Sequence, residues 1–178
     1  MPRLFTGLEL PAALAAALTR IRGDIRGARW QRLEQLHLTL NFLGNLDDNT
    51  ANAVVKHLAA LQAAPFALTL AGLHCFGPPD KPRNLWVGVT PEAPVHTLQQ
   101  QLHLLLEPLG LEQETRRFLP HITLARFSRQ PGSAAALLTN PPSLPSAILP
   151  VNQVALYQST PSAHGSVYTV VARYPLTG

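Results

Sequence analysis

The residues with the clearest chemical potential in this chain are two histidines, each followed two positions later by a threonine. The pattern His-apolar-Thr-Leu occurs once in each half, as His37-Leu38-Thr39-Leu40 and as His121-Ile122-Thr123-Leu124. Side chains alternate between the two faces of a strand, so each histidine and its threonine share one face while the apolar residues share the other. Two such strands side by side would surround one small ligand with two imidazoles and two hydroxyls.

This set of groups suits phosphoester chemistry. Opening a cyclic phosphodiester requires a base that deprotonates water and an acid that protonates the departing oxygen on the opposite side of phosphorus. Histidine titrates near neutral pH and serves either role, and the residues alone allow either assignment of His37 and His121. The hydroxyls of Thr39 and Thr123 can donate hydrogen bonds to the non-bridging oxygens. The scheme needs no metal or cofactor, and the sequence contains no H-E-x-x-H motif and no paired cysteines.

Local patterns predict the elements that hold these residues. Turn signals and apolar periodicity divide the chain into alternating strands and helices. The predicted strands are 3–10, 37–43, 66–73, 84–90, 121–127, 151–157 and 167–174. The predicted helices are 12 to about 25, 47 or 48 to about 61, 91 to about 109, and 133–138, with a loop over 140–145.

In both halves a helix is followed by a His-x-Thr strand, which is a weak internal repeat. We therefore expect a single α+β domain spanning 1–178. Short connections between strands favour largely antiparallel sheet. The expected architecture is two pseudo-symmetric, intertwined lobes with helices on the outside and a central cleft that joins the two motif strands.

Composition limits the class of protein. A hydrophobic content of 46% with 13% charged residues is typical of a globular domain. Cys75 is the only cysteine, which excludes an intramolecular disulfide and fits a reducing compartment. There is no secretory signal pattern and no apolar run of the length that a membrane span needs. We expect a soluble cytoplasmic protein, and nothing in the sequence requires more than a monomer.

The net charge of +4 comes almost entirely from arginine, since Lys56 and Lys81 are the only lysines among 14 basic residues. Guanidinium groups match the geometry of phosphate oxygens. A preference for arginine codons explains the same bias equally well. Arg116, Arg117 and Arg129 lie near the second motif, where they either guide RNA or form a solvated surface.

Beyond the chemistry, the two motif segments resemble a known family. The segments 37–44 (HLTLNFLG) and 120–126 (PHITLAR) are similar to the paired signatures of the two-histidine (2H) phosphoesterases, and more narrowly of the LigT-like (ThpR-type) RNA 2',3'-cyclic phosphodiesterases. The resemblance extends to segments 3–5, 83–88, 156–159 and 168–176, and so covers nearly the whole chain.

The resemblance implies that RNA or nucleotide 2',3'-cyclic phosphates are opened to 2'-phosphates. It implies that His37 donates a proton to the leaving O3' and that His121 activates water. It places a phosphate-contacting arginine at Arg126. It also implies a possible reversible joining of tRNA half-molecules through a 2',5' linkage.

Strand alternation conflicts with the role of Arg126, which lies five residues after His121 and so on the opposite face. Either the strand ends or bulges between Ala125 and Arg126, or the long side chain curls around the edge. The same parity places Phe42 with Leu38 and Leu40, which predicts a core residue in preference to a base-stacking one.

Other functions remain compatible with the sequence. A non-catalytic module that binds RNA ends or nucleotides would use the arginines but would not need both histidines. A metal-dependent phosphatase would lose turnover in EDTA. A related phosphodiesterase acting on another nucleotide substrate would share the same two motifs.

Overall fold

The computed structural model describes all 178 residues and contains nine strands and four helices. The strands are β1 (Arg3–Glu9), β2 (Ala28–Trp30), β3 (His37–Asn45), β4 (Phe66–Phe76), β5 (Asn84–Thr90), β6 (Ile122–Phe127), β7 (Ile148–Val151), β8 (Gln153–Ser162) and β9 (Gly165–Pro175). The helices are α1 (Ala12–Leu18), α2 (Asp48–Leu58), α3 (Ala93–Leu106) and α4 (Ala135–Thr139).

All strands form one antiparallel sheet whose order is symmetric about its centre. The order is β7-β4-β5-β6-β3-β1-β8-β9, and β2 pairs with β6 beside this path. The motif strands β3 and β6 are the two central strands of this order. Three strands lie on the outer side of β6 (β5, β4 and β7) and three on the outer side of β3 (β1, β8 and β9). The expected α+β class, with largely antiparallel sheet, is confirmed.

The two halves meet at one pair of residues, Leu38 of β3 and Ile122 of β6. Both side chains are fully buried in the core. In an antiparallel register with these two residues opposite each other, His37 faces Thr123 across the junction and Thr39 faces His121. The sheet topology thus brings the two predicted half-sites together at its centre.

The helices pack through the apolar faces that their sequences predict. The α3 residues Val95, Leu98, Leu102 and Leu106 recur at helical spacing and are at most 1% exposed. Helix α2 begins after Asp47, whose carboxylate accepts a hydrogen bond from the Thr50 amide at 2.7 Å. The longest helix has 14 residues, and none has the length and apolarity of a membrane-spanning helix.

Several boundaries differ from the prediction. Strands β2 and β7 were not predicted, because three and four residues are too few to show a period-2 pattern. Helix α1 ends at Leu18, well before residue 25, in tightened turns in which Arg20 and Ile21 donate to carbonyls three residues back. Helix α3 ends at Leu106 and a single 3-10 turn continues it to Leu109.

Candidate active site

Both motif strands contain a β-bulge at the same position of the motif. On β3, Thr39 lies opposite Gly7 and Asn41 lies opposite Thr6, so that Leu40 is an extra residue. On β6, Thr123 lies opposite Trp86 and Ala125 opposite Leu85, so that Leu124 is extra. Each motif leucine therefore interrupts the alternation directly after the threonine.

The bulges decide which side chains join the histidines. Leu40 and Asn41 are both buried in succession, as are Leu124 and Ala125. The next residue on each strand, Phe42 or Arg126, consequently points to the same face as the histidine five positions earlier. The prediction that Phe42 belongs to the core is wrong, since it is 54% exposed. On β6 the irregularity lies at Leu124, one position before the expected place between Ala125 and Arg126.

The imidazole of His37 is held at both ring nitrogens. Its Nδ1 lies 2.8 Å from the carbonyl oxygen of Gln35, and because a carbonyl only accepts, Nδ1 carries a proton and donates it. In the neutral ring Nε2 then accepts the hydroxyl proton of Thr39 across 2.7 Å. Nδ1 is thus committed to the backbone, and Nε2 is the nitrogen available for proton transfer.

The imidazole of His121 is held in the same way, by a backbone carbonyl two residues earlier. Its Nδ1 donates to the carbonyl of Leu119 at 2.7 Å, which leaves Nε2 free of protein partners. The two sites differ at the threonine, because Thr123 is half-buried and makes no side-chain hydrogen bond, in contrast to Thr39. Both histidines are therefore fixed in one tautomer, each by the residue two positions earlier.

Aromatic rings enclose each histidine. The ring centroid of His37 lies 5.0 Å from Phe5, 5.0 Å from Tyr168 and 5.5 Å from Tyr157. That of His121 lies 5.1 Å from Phe76 and 5.7 Å from Trp86. These contacts fix the ring planes and exclude water from the faces of the imidazoles.

Burial and a neighbouring cation keep both imidazoles uncharged. Burial lowers the pKa of His37 to about 4, opposed by the hydrogen bond to Gln35 and aided by the positive charge of Arg126 and by repulsion from His121 when that ring is protonated. The pKa of His121 is lowered by burial and by Arg126. The guanidinium of Arg126 therefore acts on both histidines, and at pH 7 both rings of the free protein are mainly neutral.

Two cavities flank the histidines. The larger, of about 580 Å³, lies beside His121, and we call it the aromatic cavity after Phe42, Phe76 and Phe118 in its wall. The smaller, of about 210 Å³, lies beside His37, and we call it the hydroxyl cavity after Ser159, Ser166 and Tyr168. Thr39 and Phe42 line both cavities, so they stand where the two meet.

The structure brings most of the predicted residues to one place. His37, Thr39 and Arg126 line the hydroxyl cavity, and Thr39 and His121 line the aromatic cavity. Thr123 lies on β6, two residues after His121 and in register with His37, but lines neither cavity. No group of three or more His, Cys, Asp and Glu side chains is arranged to hold a metal ion.

Sequence reasoning missed two groups of residues. Phe42 was assigned to the core because the bulge at Leu40 has no local signature. Arg3, Ser159 and Tyr168 come from the two ends of the chain, and only the pairing of β1, β8 and β9 brings them together. For Arg3, the available signals were a charged residue at the start of an apolar strand and the family resemblance of segment 3–5, and neither assigned it a role.

Comparison with known proteins places the chain in a family. Residues 10–161 match the family model of the 2'-5' RNA ligase superfamily. An RNA 2',3'-cyclic phosphodiesterase from Geobacillus stearothermophilus is 33% identical over 182 residues, which cover 98% of this chain but only 57% of that protein's length. An RNA 2',3'-cyclic phosphodiesterase from Thermus thermophilus is 33% identical over 187 residues, covering 99% of this chain and 91% of the relative.

Solved structures agree with this placement. E. coli LigT complexed with 3'-AMP aligns with a TM-score of 0.80 and 26% identity, covering 100% of both chains. TT0787 of Thermus thermophilus aligns with a TM-score of 0.75 and 32% identity, covering 99% of this chain and 98% of that one. The likeness to LigT-like proteins that the two motifs indicated is thereby confirmed. This chain belongs to the 2'-5' RNA ligase superfamily and has the LigT fold.

Proposed function

We propose that the protein hydrolyses 2',3'-cyclic phosphodiesters at RNA ends or on nucleotides to 2'-phosphomonoesters. The relatives named RNA 2',3'-cyclic phosphodiesterase support the substrate class. The observation that carries the proposal is the junction of Leu38 with Ile122, which sets two imidazoles of fixed tautomer on the two sides of the cleft that the hydroxyl and aromatic cavities form together.

The two histidines perform opposite proton transfers in this proposal. Nε2 of His121 takes a proton from water while the water oxygen attacks phosphorus. The P–O3' bond breaks, and Nε2–H of His37 protonates the departing O3'. The 2'-phosphate remains on the product. At the end of the reaction His121 carries the extra proton and His37 has lost its own, so a proton must return to His37 before the next turnover. The family resemblance supports this assignment of roles, and each positioned proton transfer contributes a factor of about 10²–10⁴.

The acid needs a proton that His37 lacks in the free protein. A bound cyclic phosphate brings a negative charge between the imidazoles and offsets the charge of Arg126, which raises the pKa of His37. Once Nε2 is protonated it no longer accepts from Thr39, so the hydroxyl proton of Thr39 is released to bind a non-bridging oxygen. Substrate binding thus favours the protonated form of His37, which is the form that acts as the acid.

Fixed donors hold the phosphate during the reaction. Arg126 makes no ion pair with a carboxylate, since the three ion pairs of the protein involve Arg32, Arg116 and Arg173. Its guanidinium is free to bind the non-bridging oxygens, with Thr39 and Thr123 as further donors. These groups stabilise the charge that builds up on the phosphoryl oxygens in the transition state.

A second activity, the joining of two RNA ends through a 2',5' linkage, is supported by the aromatic cavity. Its volume of about 580 Å³ beside His121 far exceeds what an attacking water needs, and falls in the range of small-molecule sites. A terminal nucleoside placed there would present its 5'-hydroxyl to His121 in place of water. We propose tRNA halves as the partners of this reaction and a cytosolic monomer as the working form.

The test of the main activity is product identification. The protein is incubated with an oligoribonucleotide that ends in a 2',3'-cyclic phosphate, with and without EDTA. We expect only the 2'-phosphate, at the same rate in both conditions. A 3'-phosphate as main product would refute the acid and base assignment, and loss of turnover in EDTA would favour a metal-dependent phosphatase.

The remaining alternatives separate in the same assay. A non-catalytic binding module would bind the oligonucleotide without turning it over. A phosphodiesterase for another nucleotide would leave it intact but act on a different phosphodiester. For joining, adding a second RNA with a 5'-hydroxyl should yield a longer product whose junction resists nucleases specific for 3',5' linkages.

A further inference from the structure

Beside the histidines, one row of polar side chains crosses β1, β8 and β9, the three strands on the β3 side of the sheet. Arg3 of β1 lies opposite Ser159 of β8, and Ser159 lies opposite Tyr168 of β9. Residues directly opposite each other on adjacent strands share a face, about 5 Å apart at each step. The row lines the hydroxyl cavity together with Ser166, and the cavity contains no carboxylate.

The polar groups of this row are not engaged within the protein. Arg3 takes part in none of the three ion pairs. The hydroxyls of Ser159, Ser166 and Tyr168 make no hydrogen bond to another protein group, although neighbouring side chains such as Ser162 do. A guanidinium and three half-buried hydroxyls with free donors around one cavity form a site for an anion.

The row also has a defined position relative to the reaction. The ring of Tyr168 lies edge-on to His37 with the centroids 5.0 Å apart, so the row begins at the histidine that faces the departing O3'. The ribose that carries O3' lies on this side of phosphorus. The next group along the RNA towards its 5' end is the 5'-phosphate of the same nucleotide. The hydroxyl cavity is also lined by His37, Thr39 and Arg126, which contact the cyclic phosphate in the proposed function, so the row is the part of the lining left for a second phosphate. The cavity volume of about 210 Å³ has room for phosphate groups but not for a second nucleoside.

We propose that Arg3, Ser159, Ser166 and Tyr168 bind the phosphate on the 5' side of the terminal nucleotide, so that the protein distinguishes RNA ends from nucleoside 2',3'-cyclic phosphates that carry no 5'-phosphate. This inference rests on the proposed function for the identity of the substrate. The Arg3 guanidinium supplies the charge, and the hydroxyls supply donors directed to the phosphate oxygens. The second phosphate thereby orients the ribose against His37.

Binding of two product-like probes tests the proposal without relying on turnover. Adenosine 2'-monophosphate and adenosine 2',5'-bisphosphate differ only in the second phosphate, and their Kd values are measured by calorimetry. We expect the bisphosphate to bind about tenfold more tightly, which corresponds to ~1.4 kcal/mol. In Arg3→Ala the ratio of the two Kd values, monophosphate over bisphosphate, should fall from about ten to about two or less. In Tyr168→Phe, which keeps the ring, the same ratio should fall by a factor of about three.

A matched control removes the same charge elsewhere. Arg20→Ala loses an exposed arginine beyond helix α1, and its Kd ratio should equal that of the unaltered protein. Added KCl should reduce the ratio in the unaltered protein and have little effect in Arg3→Ala, because the gain arises from a phosphate contact. Equal affinity for both probes, or an unchanged ratio in Arg3→Ala, would overturn the proposal.

A turnover measurement separates this inference from the function on which it rests. The kcat/KM for adenosine 2',3'-cyclic phosphate is compared with that for the same compound carrying a 5'-phosphate. A preference for the second compound that Arg3→Ala abolishes supports both proposals. Tighter binding of the bisphosphate without turnover of either cyclic compound would refute the proposed hydrolysis and leave the second phosphate site standing.

Discussion

Phe42 and Arg126 occupy the same position in the two halves of the molecule, five residues after His37 and His121 respectively. Each reaches the face of its histidine through a bulge at the motif leucine, Leu40 or Leu124. The two halves share an imidazole and a threonine but differ here, where one presents an aromatic ring and the other a cation. A nucleotide needs both, since its base stacks on aromatic rings and its phosphate binds guanidinium groups.

The first prediction concerns Arg126. Its positive charge disfavours the imidazolium forms, so Arg126→Gln should raise the pKa of both His37 and His121 towards 6.5 while lowering kcat by about 10²–10³. The pKa values are read from the imidazole proton shifts in an NMR titration. Arg20→Gln is the matched control, because Arg20 is an exposed arginine beyond helix α1 and its charge does not contribute to the pKa shift of either histidine. Unchanged histidine pKa values in Arg126→Gln would show that Arg126 does not reach the cleft.

The second prediction concerns Phe42. Because its ring is 54% exposed, Phe42→Ala should change the free energy of unfolding by no more than about 0.5 kcal/mol. Loss of base stacking, worth about 1–3 kcal/mol, should raise KM for adenosine 2',3'-cyclic phosphate about 5- to 150-fold. A ribose 2',3'-cyclic phosphate without a base should be turned over equally by both proteins.

Leu104→Ala serves as the control for Phe42, since Leu104 on α3 is also 54% exposed but lies outside the cleft. It should alter neither KM value. If Phe42→Ala raises KM equally for the compounds with and without a base, Phe42 does not contact the base.

Much of the fold follows from local pattern. The α3 leucines, the Asp47 cap and the strand 84–90 could be predicted because each depends on residues close in sequence. Strand β2 could not, since its three residues become a strand only by pairing with β6. The early end of α1 at Leu18 is also a tertiary effect, because the chain must turn towards β2.

The site was predictable where it depends on strand alternation and not where alternation breaks. His37, Thr39 and His121 meet as their spacing indicates. The bulges at Leu40 and Leu124 depend on the register with β1 and β5, which no segment of the motifs encodes. Simple alternation therefore placed Arg126 on the face opposite His121, and it placed Phe42 in the core. Both assignments fail because a bulge shifts the residues after the motif leucine to the other face.

The third prediction tests the packing behind His37. A Cβ atom added at Gly7 would lie 2.9 Å from the Leu38 carbonyl oxygen, 3.2 Å from the Tyr157 ring and 3.6 Å from the His37 ring. Gly7→Ala should therefore cost about 1–3 kcal/mol in unfolding free energy and reduce kcat by displacing His37. Chemical denaturation and steady-state kinetics measure the two effects.

Gly23→Ala is the control for Gly7, because its Cβ would approach no atom closer than 3.8 Å. It should leave stability and kcat nearly unchanged. If Gly7→Ala behaves like Gly23→Ala, the close approach of β1 does not position the histidine.

The fourth prediction concerns stability and pH. The folded state holds the pKa of His37 at about 4, below its ordinary value of 6.5, so the unfolded chain takes up a proton first as the pH falls. The associated stability is fully present above pH 6.5 and is lost progressively down to about pH 4. It amounts to at most about 3 kcal/mol. Denaturation at several pH values should show a flatter dependence in His37→Gln, and parallel curves for the two proteins would contradict the lowered pKa.

The account depends on a proton transfer by each histidine, and the most direct measurement is the single-turnover rate on an RNA 2',3'-cyclic phosphate after substitution of His121. His121→Ala should retain substrate binding and lose about 10²–10⁴-fold in rate, as should His37→Ala. His57→Ala, a histidine on α2 outside the cleft, should match the unaltered protein. A rate for His121→Ala within a few fold of that of the unaltered protein would contradict the two-histidine mechanism.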